Sequence, residues 1–128
     1  MLQRLIVLLT LLVSPALAWA QDHAHSHHGG QELKIGAYQA ELVVKDAEMT
    51  LFVNDAKDQK IDASGFKATA VVLAKGNQQK TVELSPGGDN KLVGKVDFPV
   101  EGKFRATVTL KNAGGEIGKG RYNLDTAR

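Results

Sequence analysis

No cysteine occurs anywhere in the 128 residues, which excludes disulfides, thiolate metal ligands and cysteine nucleophiles together. Stability must then come from a packed core, and any chemistry from imidazole, carboxylate, thioether or backbone groups. An excess of one charge is also missing, since 16 basic and 14 acidic side chains leave a formal +2. So balanced a chain does not predict a nucleic-acid partner, because phosphate binding needs a clustered basic face. No apolar run reaches the roughly 20 residues of a transmembrane helix. No stretch carries a capped helical stripe, a Gly-x-Ser-x-Gly elbow or a glycine-rich phosphate loop ahead of a helix. These absences argue against an enzyme.

The beginning of the chain is more informative. Met1-Leu-Gln-Arg4 supplies a short positive region, residues 5–13 are apolar except for Thr10, and Ser14-Pro15 breaks the run ahead of Ala18-Trp19-Ala20. This reads as a secretory signal peptide over 1–20, cleaved after Ala20. A cysteine-free product with such a leader suits the bacterial periplasm. With no cysteine behind the leader to carry a lipid, the mature protein is expected to be free of the membrane.

All four histidines lie between His23 and His28, directly behind the leader. Neutral imidazole is the commonest metal-ligating side chain and suits copper, nickel and zinc, whereas magnesium and calcium prefer oxygen. In an extended segment His23, His25 and His27 project from one side and His28 from the other. Same-side neighbours are about 6.5–7 Å apart at the backbone, a gap that imidazoles close on a shared ion. Cleavage after Ala20 exposes Gln21-Asp22-His23, whose free amine, two backbone amides and third-position imidazole form a square-planar nitrogen set for Cu(II) or Ni(II). Asp22 adds a possible oxygen donor. The expected metal ligands are therefore Gln21, Asp22, His23, His25, His27 and His28, with copper as the first choice and nickel or zinc as alternatives. Residues 21–31 read as a flexible segment, with Gly29-Gly30 as the joint to the folded part.

From residue 32 onward, short alternating runs are separated by Gly, Asn, Asp and Pro clusters. Seven strands are expected, over 39–44, 48–54, 67–75, 79–84, 91–98, 103–111 and 118–124. Phe104, Ala106, Val108 and Leu110 alternate with Arg105, Thr107 and Thr109, so one side is core and the other wet. Met49, Leu51 and Val53 repeat the pattern, and Phe52 on the opposite side predicts partial cover there. Met49 reads as core rather than as a thioether ligand. Asp55, Asp58 and Asp62 sit in a polar loop without calcium-loop spacing. The fold expected over 32–128 is all-β, an immunoglobulin-like antiparallel β-sandwich of about seven strands.

The order His28-Gly-Gly, Tyr38-Gln-Ala-Glu-Leu-Val-Val44, Met49-Thr-Leu-Phe-Val-Asn-Asp55, Gly65-Phe-Lys-Ala-Thr-Ala70, Leu84-Ser-Pro-Gly-Gly-Asp-Asn-Lys-Leu92 and Phe104-Arg-Ala-Thr-Val-Thr-Leu110 resembles a group of small periplasmic proteins. These accompany heavy-metal efflux systems of the resistance-nodulation-division type, and a similar sandwich occurs fused to the periplasmic adaptor subunits of those systems. The resemblance implies a role in copper, zinc, cobalt or nickel handling. It also names a second expectation, a module that docks on an efflux adaptor with the histidines as accessories. The chain lacks the long coiled-coil hairpin and barrel of an adaptor, which leaves binding, buffering or delivery of metal.

Overall fold

The structure, a computed structural model, describes residues 28–73, 78–98 and 102–125. The leader and the expected ligands from Gln21 to His27 lie outside those residues. The described residues form eight strands: β1 (Gln31–Ile35), β2 (Tyr38–Lys45), β3 (Glu48–Asn54), β4 (Phe66–Leu73), β5 (Gln79–Pro86), β6 (Lys91–Lys95), β7 (Lys103–Asn112) and β8 (Gly115–Asp125). A single turn of 3-10 helix, Ala63–Gly65, precedes β4 and is capped by the Asp62 carboxylate, which accepts from the Ser64 amide at 3.0 Å. Among the described residues no helix is long and apolar enough to cross a membrane.

All pairings are antiparallel, and the strand order is β1-β2-β3-β6-β5-β4-β7-β8. Strand β5 joins two halves: most of it pairs with β4, while Ser85 and Pro86 pair with Val93 and Leu92 of β6. The order 3-6-5-4 is a Greek-key arrangement, in which the connection from β3 to β4 leaves room for β6 to return beside β3. The first and last strands then approach one another and make the sheet nearly barrel-like. Ile35 of β1 lies over Gly118 and Gly120, where added Cβ atoms would meet it at 3.2 and 3.0 Å. Asn123 of β8 donates its amide to the Gln31 side chain at 2.7 Å.

Alternation places the core as the sequence implies. Met49, Leu51 and Val53 of β3 and Phe104, Ala106, Val108 and Leu110 of β7 are buried, facing Ala40, Leu42, Ala70, Val72, Leu84 and Leu92. Tyr122 is fully buried among them, with its hydroxyl donating to the Ala40 carbonyl at 2.7 Å. Its polar end is thereby satisfied inside an otherwise apolar interior. Tyr38 and Phe66 close one end edge to face at 5.3 Å.

The count of eight strands differs from the expected seven because of β1. Its five residues carry two charges and follow a Gly-Gly pair, so periodicity alone gives a weak signal. The turn supplies what the run lacks. Gly36 takes φ +62° at the first of two central positions between Ile35 and Tyr38, which are register partners. That is the form of tight turn whose twist matches a hairpin.

Candidate functional site

The site begins with strand β2, where alternation turns Ala40 and Leu42 inward and Glu41 outward. Glu41 is nonetheless only 1% exposed, because residues 28–30 cross over it. The His28 amide donates to both carboxylate oxygens at 3.1 and 2.9 Å, and the Gly30 amide donates to Oε2 at 2.8 Å. The His28 ring adds a fourth contact, Nδ1 to Oε1 at 2.9 Å. Hydrogen bonds to an ionised oxygen are the strong kind, shorter and roughly twice as strong as neutral ones. Gly30 permits the approach: a Cβ there would sit 2.1 Å from the Leu42 carbonyl oxygen and 2.8 Å from Val43 Cγ2.

Strand β3 supplies the other wall. Phe52 is the register partner of Glu41, and its ring stacks on His28 with centroids 3.7 Å apart and planes 6° from parallel. This is the cover that an apolar side chain on the wet side of β3 implies. The imidazole is thus held by a hydrogen bond in its plane and a ring against its face, while its side chain stays 38% exposed. Gly29-Gly30, expected to be a joint, is instead fastened to the sheet through Gly30.

Electrostatics set the state of the carboxylate. Burial pushes Glu41 up, but the side-chain bond from His28, the backbone donors of Gly30 and His28 and the charge of the imidazole pull further the other way, holding it below the ordinary glutamate range. Glu32 of β1 is the register partner of Glu41 on the other side and is only 4% exposed. Two carboxylates directly opposite on adjacent strands repel. Their field reaches the interior: burial first, then Glu32 and Glu41, push the Tyr122 hydroxyl well above the usual tyrosine value.

Of the expected ligands, only His28 falls within the described residues. Gln21, Asp22, His23, His25 and His27 lie outside them. Among the described residues no three His, Asp or Glu side chains converge on one point. The loop carboxylates organise turns: Asp55 accepts from the Lys57 and Gln59 amides at 2.8 and 2.9 Å, and Asp58 accepts from the Asn54 side chain at 3.0 Å. In the sequence Phe52 signals only partial cover, and nothing there singles out Glu41 or Glu32. Only strand register discloses that they form one row beside His28.

A second feature lies on the other half of the fold. Lys67, Lys103, Arg105, Lys111, Lys119 and Arg121 project from the outward face of β4, β7 and β8 and are exposed. Glu116 and Asp125 of β8 are the acids along the same strands, with Glu83 on the neighbouring β5. A concavity of about 580 Å³ on this face is lined by Leu73, Gln79, Arg105, Thr107, Arg121 and Asn123. Basic residues that look scattered along the sequence are thus gathered by pairing.

Comparison of the chain with models of protein families, with curated proteins and with solved structures finds no match.

Proposed function

We propose that this is a periplasmic transition-metal-binding protein, taking copper first and nickel or zinc after it, that acts in metal buffering, delivery or resistance. The observation that supports this reading best is the seating of His28. The run of four histidines leads into an imidazole fixed against a buried carboxylate and an aromatic ring, so a ligand-rich segment is tied to a rigid platform. An imidazole that gives one ring nitrogen to a carboxylate is the usual arrangement behind metal-bound histidine. The cleaved leader over 1–20, the immunoglobulin-like form of the sandwich and the resemblance to proteins of heavy-metal efflux systems belong to the same proposal. The remaining ligands are Gln21, Asp22, His23, His25 and His27.

The test is calorimetric. Copper and zinc titrations of the processed protein and of a variant with all four histidines replaced by alanine should give tight uptake in the first and little in the second. Equal uptake in both would falsify the proposal.

The basic concavity favours a second reading, a docking module for an efflux adaptor, through an acidic patch on that partner. Arg105 and Arg121 suit carboxylates, which guanidinium groups bind in a bidentate fork. Pull-down of a purified adaptor subunit by a variant lacking residues 21–30 separates the two readings. Undiminished capture that Arg105→Ser and Arg121→Ser abolish supports docking, and capture lost with residues 21–30 counts against it.

A further inference from the structure

We propose that Glu41 is the positioning residue of the metal site: it takes the Nδ1 proton of His28 and thereby makes Nε2 the nitrogen that donates to the metal. The inference rests on the metal-binding reading above and adds to it a residue, an atom and a direction of approach.

An ionised carboxylate has no proton and only accepts hydrogen bonds. Three backbone N–H contacts from His28 and Gly30 already point at the Glu41 oxygens, and each favours the ionised form. The Nδ1 atom 2.9 Å from Oε1 must therefore be the donor. In the neutral ring that leaves the lone pair on Nε2. Free histidine exchanges between its two tautomers, and a metal ion meeting a mobile imidazole can select either nitrogen. Here the choice is made before the ion arrives, as outer partners of metal-bound histidines generally arrange.

Phe52 completes the restriction. Stacking at 3.7 Å with a 6° interplanar angle leaves the ring one plane, and Glu41 fixes its rotation within that plane. Glu41 in turn has little freedom, being held between β1 and β3 in register with Glu32 and Phe52. A neighbouring carboxylate makes the imidazole a better donor. The arrangement differs from the expected Gln21-Asp22-His23 set, which wraps an ion in backbone nitrogens and needs nothing from the sheet.

The experiment uses the full processed chain with zinc as probe, which brings no redox chemistry. Long-range proton–nitrogen NMR correlations of the native protein are expected to show His28 protonated at Nδ1 without metal, and a changed Nε2 signal with Nδ1 still protonated when zinc is added. Glu41→Gln should weaken zinc binding about 10–100-fold, the usual effect of losing such a partner. His28→Ala should weaken it at least as much, and the double variant no more than His28→Ala alone, because Glu41 acts through that ring. Glu83→Gln, on β5, is the control and should change nothing.

An Nε2-protonated His28 in the metal-free native protein, or zinc on Nδ1, overturns the inference even if Glu41→Gln fails to fold. Unchanged affinity in a folded Glu41→Gln protein overturns it too, as does additivity in the double variant. The failure of the underlying reading looks different, because replacing all four histidines would then leave zinc uptake as it was.

Discussion

Two buried residues carry opposite pH signatures, and each can be read at a single side chain. Glu41 is held below the ordinary glutamate value of 4.5: burial raises it, and the bonds from His28 and Gly30 more than compensate. A depressed folded value means that its contribution to stability is complete above the unfolded value and is lost as pH falls through the lower folded one. Urea midpoints of the metal-free protein should therefore decline below about pH 4.5, and Glu41→Gln should flatten that part of the profile. An equally steep decline in the variant would show that other carboxylates govern it. Tyr122 runs the other way. Its hydroxyl is pushed well above the unfolded value of about 10 by burial, then by Glu32 and Glu41. Stability is complete below that unfolded value and falls as pH rises beyond it towards the folded one. Tyr122→Phe should cost about 1–2 kcal/mol near neutrality, because the Ala40 carbonyl loses its partner inside the core. The same variant should lose its share of the alkaline decline, measurable as urea midpoints between pH 8 and 11.

At the scale of elements, turns decide register, and one turn is poorly served by its residues. The β2–β3 hairpin closes through Asp46 and Ala47, at φ +54° and +65°, the conformation that Asn-Gly fits best. Alanine in the left-handed region costs roughly 1–2 kcal/mol, and glycine returns part of the gain through unfolded-chain entropy. Ala47→Gly should thus stabilise the protein by about 0.5–1 kcal/mol, seen as a higher melting temperature with an unchanged denaturant slope. A lower melting temperature would mean that the Ala47 methyl group has packing worth more than the strain. This hairpin also shows what is legible in a sequence. The alternation of Met49, Leu51 and Val53 announces β3, and that of Phe104 to Leu110 announces β7, because side chains on a strand have a fixed period of two. Strand β1 is not announced: five residues with Glu32 and Lys34 among them lack the length for periodicity to stand out, and Gln31 begins the strand where a flexible segment is expected. The candidate site is legible in one half only. The histidine cluster is visible as composition, and Phe52 hints at cover. The pairing of Glu41 with His28 spans 13 positions and depends on the path of residues 28–30 over β2, which no local pattern encodes. The basic face is hidden for the same reason, since Lys67, Arg105 and Arg121 come together only through the β4-β7-β8 register.

The molecule as a whole closes on itself at its weakest line. Every neighbouring pair from β1 round to β8 shares backbone hydrogen bonds, whereas β1 meets β8 through side chains: Ile35 over Gly118 and Gly120, and Gln31 accepting from Asn123. Strands joined by a ladder open only when several bonds break together, while a seam of side chains opens by losing packing alone, so local opening should start there. The same end of the molecule carries His28, the proposed metal ligand, since His28 and Gly30 lead directly into β1. Zinc bound at His28 should therefore hold the start of β1 and slow opening of the seam. Native-state hydrogen exchange gives the expected order: the Asn123 amide and the β1 amides exchange sooner than those of β3, β4 and β7, and added zinc slows the first group selectively. Ile35→Ala removes the side chain that fills the seam and should cost about 2–5 kcal/mol, the range for emptying a buried isoleucine site. It should also widen the gap in exchange between β1 and the central strands. Uniform exchange across all eight strands, with or without zinc, would instead make the closure as cooperative as the ladders and detach metal binding from the mechanics of the fold.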